Sequence, residues 1–177
     1  MLVLVVMLLG ACAPESTAEL TQDNSGPSNI SAGLLIIAAG ERPPAPLLAG
    51  DALGGGTVGL ADFAGRVIVL NTFASWCTPC QEELPVLVAA VRAHPEAQFV
   101  GLDVEDYDEA AVGFLAAGQA TYPIIKDPTG SLLGEFTMNP NRGLPVTFFI
   151  DSQGRLAGRI LGKVTAASLE LALARMR

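Results

Sequence analysis

The chain is poor in positive charge, in histidine and in cysteine. Ten Lys and Arg face 18 Asp and Glu across 177 residues, a net charge of −8 at pH 7. With no basic surface to neutralise phosphates, nucleic-acid binding is excluded. One histidine and three cysteines fall short of a disulfide-built scaffold and make a closed zinc site hard to assemble. A Gly-x-y triplet repeat, sustained heptads and a repeat at roughly 20–50 residues are also missing, which removes collagen, coiled coils and repeat arrays. No apolar run reaches the ~20 residues that span a bilayer. Half of the chain is hydrophobic and 16% is charged, the composition of one globular domain with a tail.

The tail reads as an export signal. Met1 to Ala11 is MLVLVVMLLGA, and Cys12 follows. The run suits the core of a secretory signal peptide. Leu9-Gly10-Ala11-Cys12 is similar to a bacterial lipobox, so residues 1–11 are expected to be a lipoprotein-type signal peptide and Cys12 to carry the lipid. A buried N-terminal strand is the competing reading. Ala13 to Gly33 is rich in Ser, Thr, Asn, Asp, Glu and Pro, a tether composition. Residues 12–41 are therefore expected to be a flexible tether and 42–177 the domain. No Lys or Arg precedes Arg42, and a start further upstream is expected to supply the usual positive n-region. A lipid on Cys12 places the domain on the extracytoplasmic face of a bacterial membrane and leaves Cys77 and Cys80 as thiols.

Within the domain, Leu34 to Ala39 fits either a strand or the docking end of the tether. Gly54-Gly55-Gly56 marks a hairpin turn inside Leu47 to Asp62. Val67 to Phe73 (VIVLNTF) reads as a buried, parallel strand, and Trp76 to Ala93 as a helix interrupted by Pro85. Gln98 to Asp103 is a second strand. Asp106 is the expected N-cap of a helix over Glu109 to Ala117. Pro123 to Lys126 is a short strand before the turn Asp127-Pro128-Thr129-Gly130. Val146 to Asp151 and Leu156 to Leu161 form a hairpin at Ser152-Gln153-Gly154, and Thr165 caps a last helix to about Arg175. Parallel units followed by a hairpin and a helix describe an α/β domain with a mixed sheet and helices on both faces.

Trp76-Cys77-Thr78-Pro79-Cys80 lies where VIVLNTF gives way to a helix. A Cys-x-x-Cys at that junction is a redox arrangement, because free N–H groups at the helix start stabilise a thiolate. Cys77, at the tip, is expected to be the exposed nucleophile, and Cys80, one turn on, the resolving thiol. A purely structural disulfide, a zinc site and a peroxidatic cysteine compete with this reading. Glu83 falls three residues after Cys80 on the same helix face, with a solvated helix residue as the competing reading, whereas Glu82 is rotated roughly 100° away and reads as surface. Trp76 is expected to shield the disulfide or simply to pack. His94 reads as a surface residue at a helix end.

LADFAGRVIVLNTFASWCTPCQEELPVL resembles the thioredoxin superfamily, specifically the extracytoplasmic thiol–disulfide oxidoreductases of the TlpA, ResA and DsbE (CcmG) type. The resemblance runs from Arg42 to Arg177 and implies a thioredoxin-like fold with an N-terminal β-hairpin extension. It implies catalysis by Cys77 and Cys80 with no cofactor beyond their disulfide and no metal, and it places an active-site glutamate at Glu83. Gly143-Leu144-Pro145 matches the family's cis-proline loop, which makes Leu144 and Pro145 the expected substrate-binding residues. Met138-Asn139-Pro140-Asn141 looks like a local insertion before it. Asn71 stands where thioredoxins carry a buried aspartate, and Asn71, Trp76, Thr78 and Pro79 are the expected support of the active site. The resemblance also implies protein disulfides as substrates, apocytochrome c among them, with a membrane-borne electron donor. A thiol peroxidase and a non-catalytic binding module with an inert disulfide are the alternatives. Six acids between Arg92 and Lys126 (Glu96, Asp103, Glu105, Asp106, Asp108, Glu109) read as a solvated loop and helix start, or as a steering field for a basic substrate.

Overall fold

A computed structural model describes residues 33–139 and 141–176. Residues 1–11, Cys12 and the tether up to residue 32 lie outside the described residues, as does Pro140. Six strands form one sheet: β1 (Leu34–Ile36), β4 (Ile68–Phe73), β5 (Gln98–Val104), β6 (Ile124–Asp127), β7 (Val146–Ile150) and β8 (Leu156–Leu161), in the order β1-β8-β7-β4-β5-β6. A separate hairpin pairs β2 (Ala49–Asp51) with β3 (Thr57–Gly59). The α-helices are α1 (Thr78–Ala93), α2 (Asp108–Gly118) and α3 (Ala166–Ala174).

β4 runs parallel to β5, and β5 to β6; the β4–β7, β7–β8 and β1–β8 pairs are antiparallel. All six residues of β4 are buried, as expected of a strand covered on both faces. The two crossovers, β4-α1-β5 and β5-α2-β6, step in the same direction along the sheet. Right-handed connections must then place α1 and α2 on one face. Leu84, Leu87, Leu115 and Leu169, from all three α-helices, accordingly share one core with Val69, Phe73, Phe99 and Phe149. The opposite face buries Leu70, Val100, Leu102 and Phe148 beneath the hairpin and two short 3₁₀ helices, Leu60–Phe63 and Leu133–Glu135. Helices thus cover both faces unequally, and every α-helix lies on the same one.

The domain starts earlier than Arg42. β1 adds to the sheet edge along β8, in the register Leu34↔Ile160 and Ile36↔Gly158, so part of the expected tether belongs to the fold. Gly158 permits the approach, since a Cβ there would collide with the Leu35 carbonyl. Arg42 then fastens the entry: it donates to Asp151 at 3.1 Å and to the carbonyls of Ile37 and Arg175. Among the described residues no helix is long and apolar enough to cross a membrane.

Candidate active site

β4 ends at Phe73, and Ala74-Ser75-Trp76 carries the chain into α1 with Cys77 as its N-cap. Pro79 sits in the first turn, where a missing N–H costs nothing. Cys77 and Cys80 form a disulfide with Cα atoms 5.3 Å apart. The Cys80 amide points at the Cys77 sulfur at 3.3 Å, the contact a helix start offers to a thiolate. Cys77 is only 5% exposed, against 1% for Cys80, so the exposed nucleophile expected from sequence is instead recessed. Its accessible side faces a cleft of about 430 Å³ whose walls include Trp76, Thr78, Pro79, Glu105, Arg142 and Leu144. Trp76, 60% exposed, lies along this cleft and donates its indole N–H to the Glu105 carbonyl at 3.1 Å.

The Leu144–Pro145 peptide is cis, in the loop that forms the cleft wall across from Cys77. No hydrogen bond among the described residues engages the Leu144 backbone, while the Pro145 carbonyl accepts from Gly162 at 3.0 Å. Asn139, in the stretch that sequence marks as an insertion, supports the same loop through the Gly143 carbonyl at 3.2 Å.

Behind the disulfide the polar groups are all interior. Glu83 is 1% exposed; its oxygens accept from Asn71 Nδ2 at 2.7 Å and from the Val164 amide at 2.6 Å. Asn71 also donates to Thr147 at 3.1 Å. Burial raises the Glu83 pKa to about 7, although the Val164 amide, Asn71 and Lys163 each pull it back. Burial, and after it the negative charge so held, pushes the Tyr122 hydroxyl upward, and that hydroxyl has no partner among the described residues. Glu82, by contrast, is on the surface and pairs with Lys163. His94 caps the far end of α1 and ties it to α3 through Glu170 at 2.7 Å.

The acids after Arg92 are not a uniform solvated field. Asp106 does not cap α2, whose N-cap is Tyr107 with no side-chain bond; its carboxylate reaches across to Ser75 instead. Asp103 is buried on β5, and Asp108 pairs with Lys126 at 3.0 Å. Glu105, one of those six acids, and Arg142, which sequence did not single out, place one charge of each sign in the cleft wall. Among the described residues no group of three or more His, Cys, Asp or Glu is placed to hold a metal ion.

A helix-tip disulfide following the central strand of a mixed sheet, beside a cis-proline loop, defines a thioredoxin-like thiol–disulfide oxidoreductase. The sequence profile of the AhpC/TSA family matches residues 42–159, and the chain belongs to that family. It is 28% identical over 120 residues to the thiol-disulfide oxidoreductase ResA of Bacillus cereus, covering 67% of this chain and 68% of ResA. Among solved structures, a DsbF homologue from Corynebacterium diphtheriae is 30% identical, with a TM-score of 0.76 over 84% of this chain and 96% of that one. A secreted thiol-disulfide isomerase from Corynebacterium glutamicum is 28% identical, with a TM-score of 0.72 over 85% and 96% of the two chains.

Proposed function

We propose that this oxidoreductase is lipid-anchored outside the cytoplasm and reduces disulfides of exported proteins through Cys77, Cys80 and Glu83. The observation that carries the reading is the position of Cys77: it is the cysteine that borders the cleft, while Cys80 lies behind it. In the reduced enzyme the Cys77 thiolate attacks one sulfur of a substrate disulfide, forming a mixed disulfide and releasing the other sulfur as a thiolate. Cys80 then loses its proton to the Glu83 carboxylate and attacks the Cys77 sulfur. The Cys77–Cys80 disulfide closes, and the substrate leaves as a dithiol carrying two electrons. No cofactor enters these steps. Leu144, with its backbone unengaged beside Pro145, offers an extended substrate a strand partner that reads few side chains. Asn71 orients Glu83, and Trp76, Thr78 and Pro79 shape the rim.

The reductive direction and apocytochrome c as one substrate come from the resemblance to ResA- and DsbE-type proteins, as does a membrane-borne donor that renews the dithiol. The secreted relative supports the location. Equilibrating the Cys77–Cys80 pair in thiol buffers tests the direction. The potential is expected nearer to thioredoxin's (about −270 mV) than to that of the oxidant DsbA (about −120 mV). A value near the latter makes the protein an oxidant. A disulfide that dithiothreitol leaves intact in the folded state makes it an inert binding module. Peroxide consumption far above the rate of a free thiol makes it a thiol peroxidase.

The anchor is tested separately. Cys12→Ala is expected to move the domain from the membrane fraction to the soluble fraction with the potential of the Cys77–Cys80 pair unchanged. Continued membrane retention assigns anchoring to the apolar segment itself.

A further inference from the structure

The cleft beside the disulfide carries two charges that the exchange steps do not use. Glu105 follows the end of β5, and Arg142 stands two residues before Leu144 in the cis-proline loop. Both are exposed, and neither side chain makes a hydrogen bond or an ion pair among the described residues. Both also hold a left-handed backbone, Glu105 at φ 50° and Arg142 at φ 48°. Gln119 shares that conformation, but it ends α2, where a left-handed residue is an ordinary helix stop. Glu105 and Arg142 end no α-helix. A residue with a Cβ adopts this backbone at a cost, and such costs gather at ligand clamps.

The two side chains rest on one short segment after β6. A Cβ on Gly130 would stand 2.9 Å from Glu105 Oε1, and one on Gly134 would stand 2.7 Å from Arg142 Nη2. The Gly134 amide donates to the Gly130 carbonyl at 3.1 Å, so the two glycines adjoin. A carboxylate and a guanidinium therefore lie on neighbouring bare backbone without closing on each other. Held apart, each presents its charge to the cleft that Cys77 borders.

We propose that Glu105 and Arg142 are specificity-determining residues that read the order of charges around the substrate's cysteine. Arg142 takes an acidic side chain on one side of the attacked disulfide, and Glu105 takes a basic one on the other. The substrate class is a polypeptide disulfide whose cysteine is flanked by charges of both signs. This deepens the disulfide-exchange reading and rests on it, since the charges matter only if substrate reaches Cys77. The net charge of −8 cannot supply such a selection. A field of one sign attracts cations but does not tell apart two peptides of equal net charge. Order is read by fixed charges of opposite sign, through attraction to one arrangement and repulsion of the other.

Two isomeric peptides test this. In one, two glutamates precede and two lysines follow a single cysteine; in the other the two blocks are exchanged. Each is supplied as its symmetric disulfide to the fully reduced enzyme, and release of the peptide thiol is followed by chromatography. The enzyme dithiol gives up two electrons and becomes the Cys77–Cys80 disulfide, and two peptide thiols leave. Single exposed pairs contribute little, so the ratio compounds two attractions in one isomer with two repulsions in the other. The wild type is expected to reduce one isomer about tenfold faster at low ionic strength. At about 1 M salt, where screening acts within about 3 Å, the rates are expected to converge. They are also expected to converge in Glu105→Gln/Arg142→Gln, and the preference to invert in Glu105→Arg/Arg142→Glu. Each ratio is taken on one enzyme, so a change in thiol reactivity cancels. Equal wild-type rates, a preference that survives high salt or the Gln variant, or one that fails to invert overturns the proposal. Reduction of both isomers at one rate removes only the charge reading, whereas reduction of neither removes the disulfide-exchange reading with it.

Discussion

Replacing Cys80 by Ser is expected to convert the enzyme into a covalent trap: partner proteins stay attached to Cys77 and turnover stops. Cys77 keeps its place at the start of α1, with the backbone amide of the substituted position still directed at its sulfur and the cleft still open in front of it. The first exchange therefore proceeds. The second requires a sulfur held against the mixed disulfide, and the serine hydroxyl cannot act as that nucleophile. An added thiol replaces it poorly, because effective molarities of well-oriented groups reach about 10⁵ M and above. Adducts on non-reducing gels, released by dithiothreitol, report the trapped partners and identify substrates at the same time. Cys77→Ser is expected to trap none, since Cys80 is 1% exposed and does not border the cleft. Adducts of equal yield from Cys77→Ser would reverse the two roles.

How far the sequence carries is visible in the same residues. VIVLNTF followed by Trp76-Cys77 is legible because a buried strand, a helix start and a sulfur spacing are all local patterns, and the structure places β4 and α1 there. The separation of Glu82 from Glu83 is legible for the same reason, since helical period alone puts one outside and the other inside. Asp106 shows the limit. A local rule makes an aspartate before a helix its N-cap, but its oxygens go to Ser75, 31 positions away in sequence, and that bond exists only once β4 and β5 pair. Asp103 reads as one more surface acid until the sheet closes over it. The unequal coverage of the two faces is hidden as well, because it follows from the direction in which strands are added and not from any helix's own residues. β1 joins the sheet instead of the tether because β8 offers a glycine opposite it. The recess around Cys77 has the same origin, a wall supplied by the distant Arg142–Leu144 loop.

Glu83→Gln is expected to uncouple the site from pH in both stability and reactivity. The Glu83 carboxyl, ordinarily near 4.5, is raised by burial to about 7. Between those values the folded state binds more protons than the unfolded one. The contribution of this group to stability is therefore fully present below its unfolded pKa and is lost as the pH rises through about 7. At 1.36 kcal/mol per pK unit the loss is on the order of 3 kcal/mol. Asp103, raised from 3.8 to about 7, acts with the same sign in nearly the same window. Urea unfolding of the oxidised protein is expected to show stability falling from about pH 5 to about pH 8, with a shallower fall in Glu83→Gln. The variant can keep its fold because Asn71 can turn its amide to accept from the introduced side-chain NH₂, leaving the introduced carbonyl oxygen for the Val164 amide. In the reduced enzyme, removing a negative neighbour is expected to move the alkylation profile of the thiols to lower pH. Losing the proton acceptor is expected to slow single-turnover reduction of a model disulfide by roughly 10²-fold. Faster thiolate formation with slower resolution is a pair of effects that a merely structural glutamate does not produce. Glu82→Gln, which costs only the exposed pair with Lys163, is the control and is expected to change neither. Wild-type alkylation and turnover in Glu83→Gln would remove Glu83 from the mechanism and leave Cys80 without an assigned base.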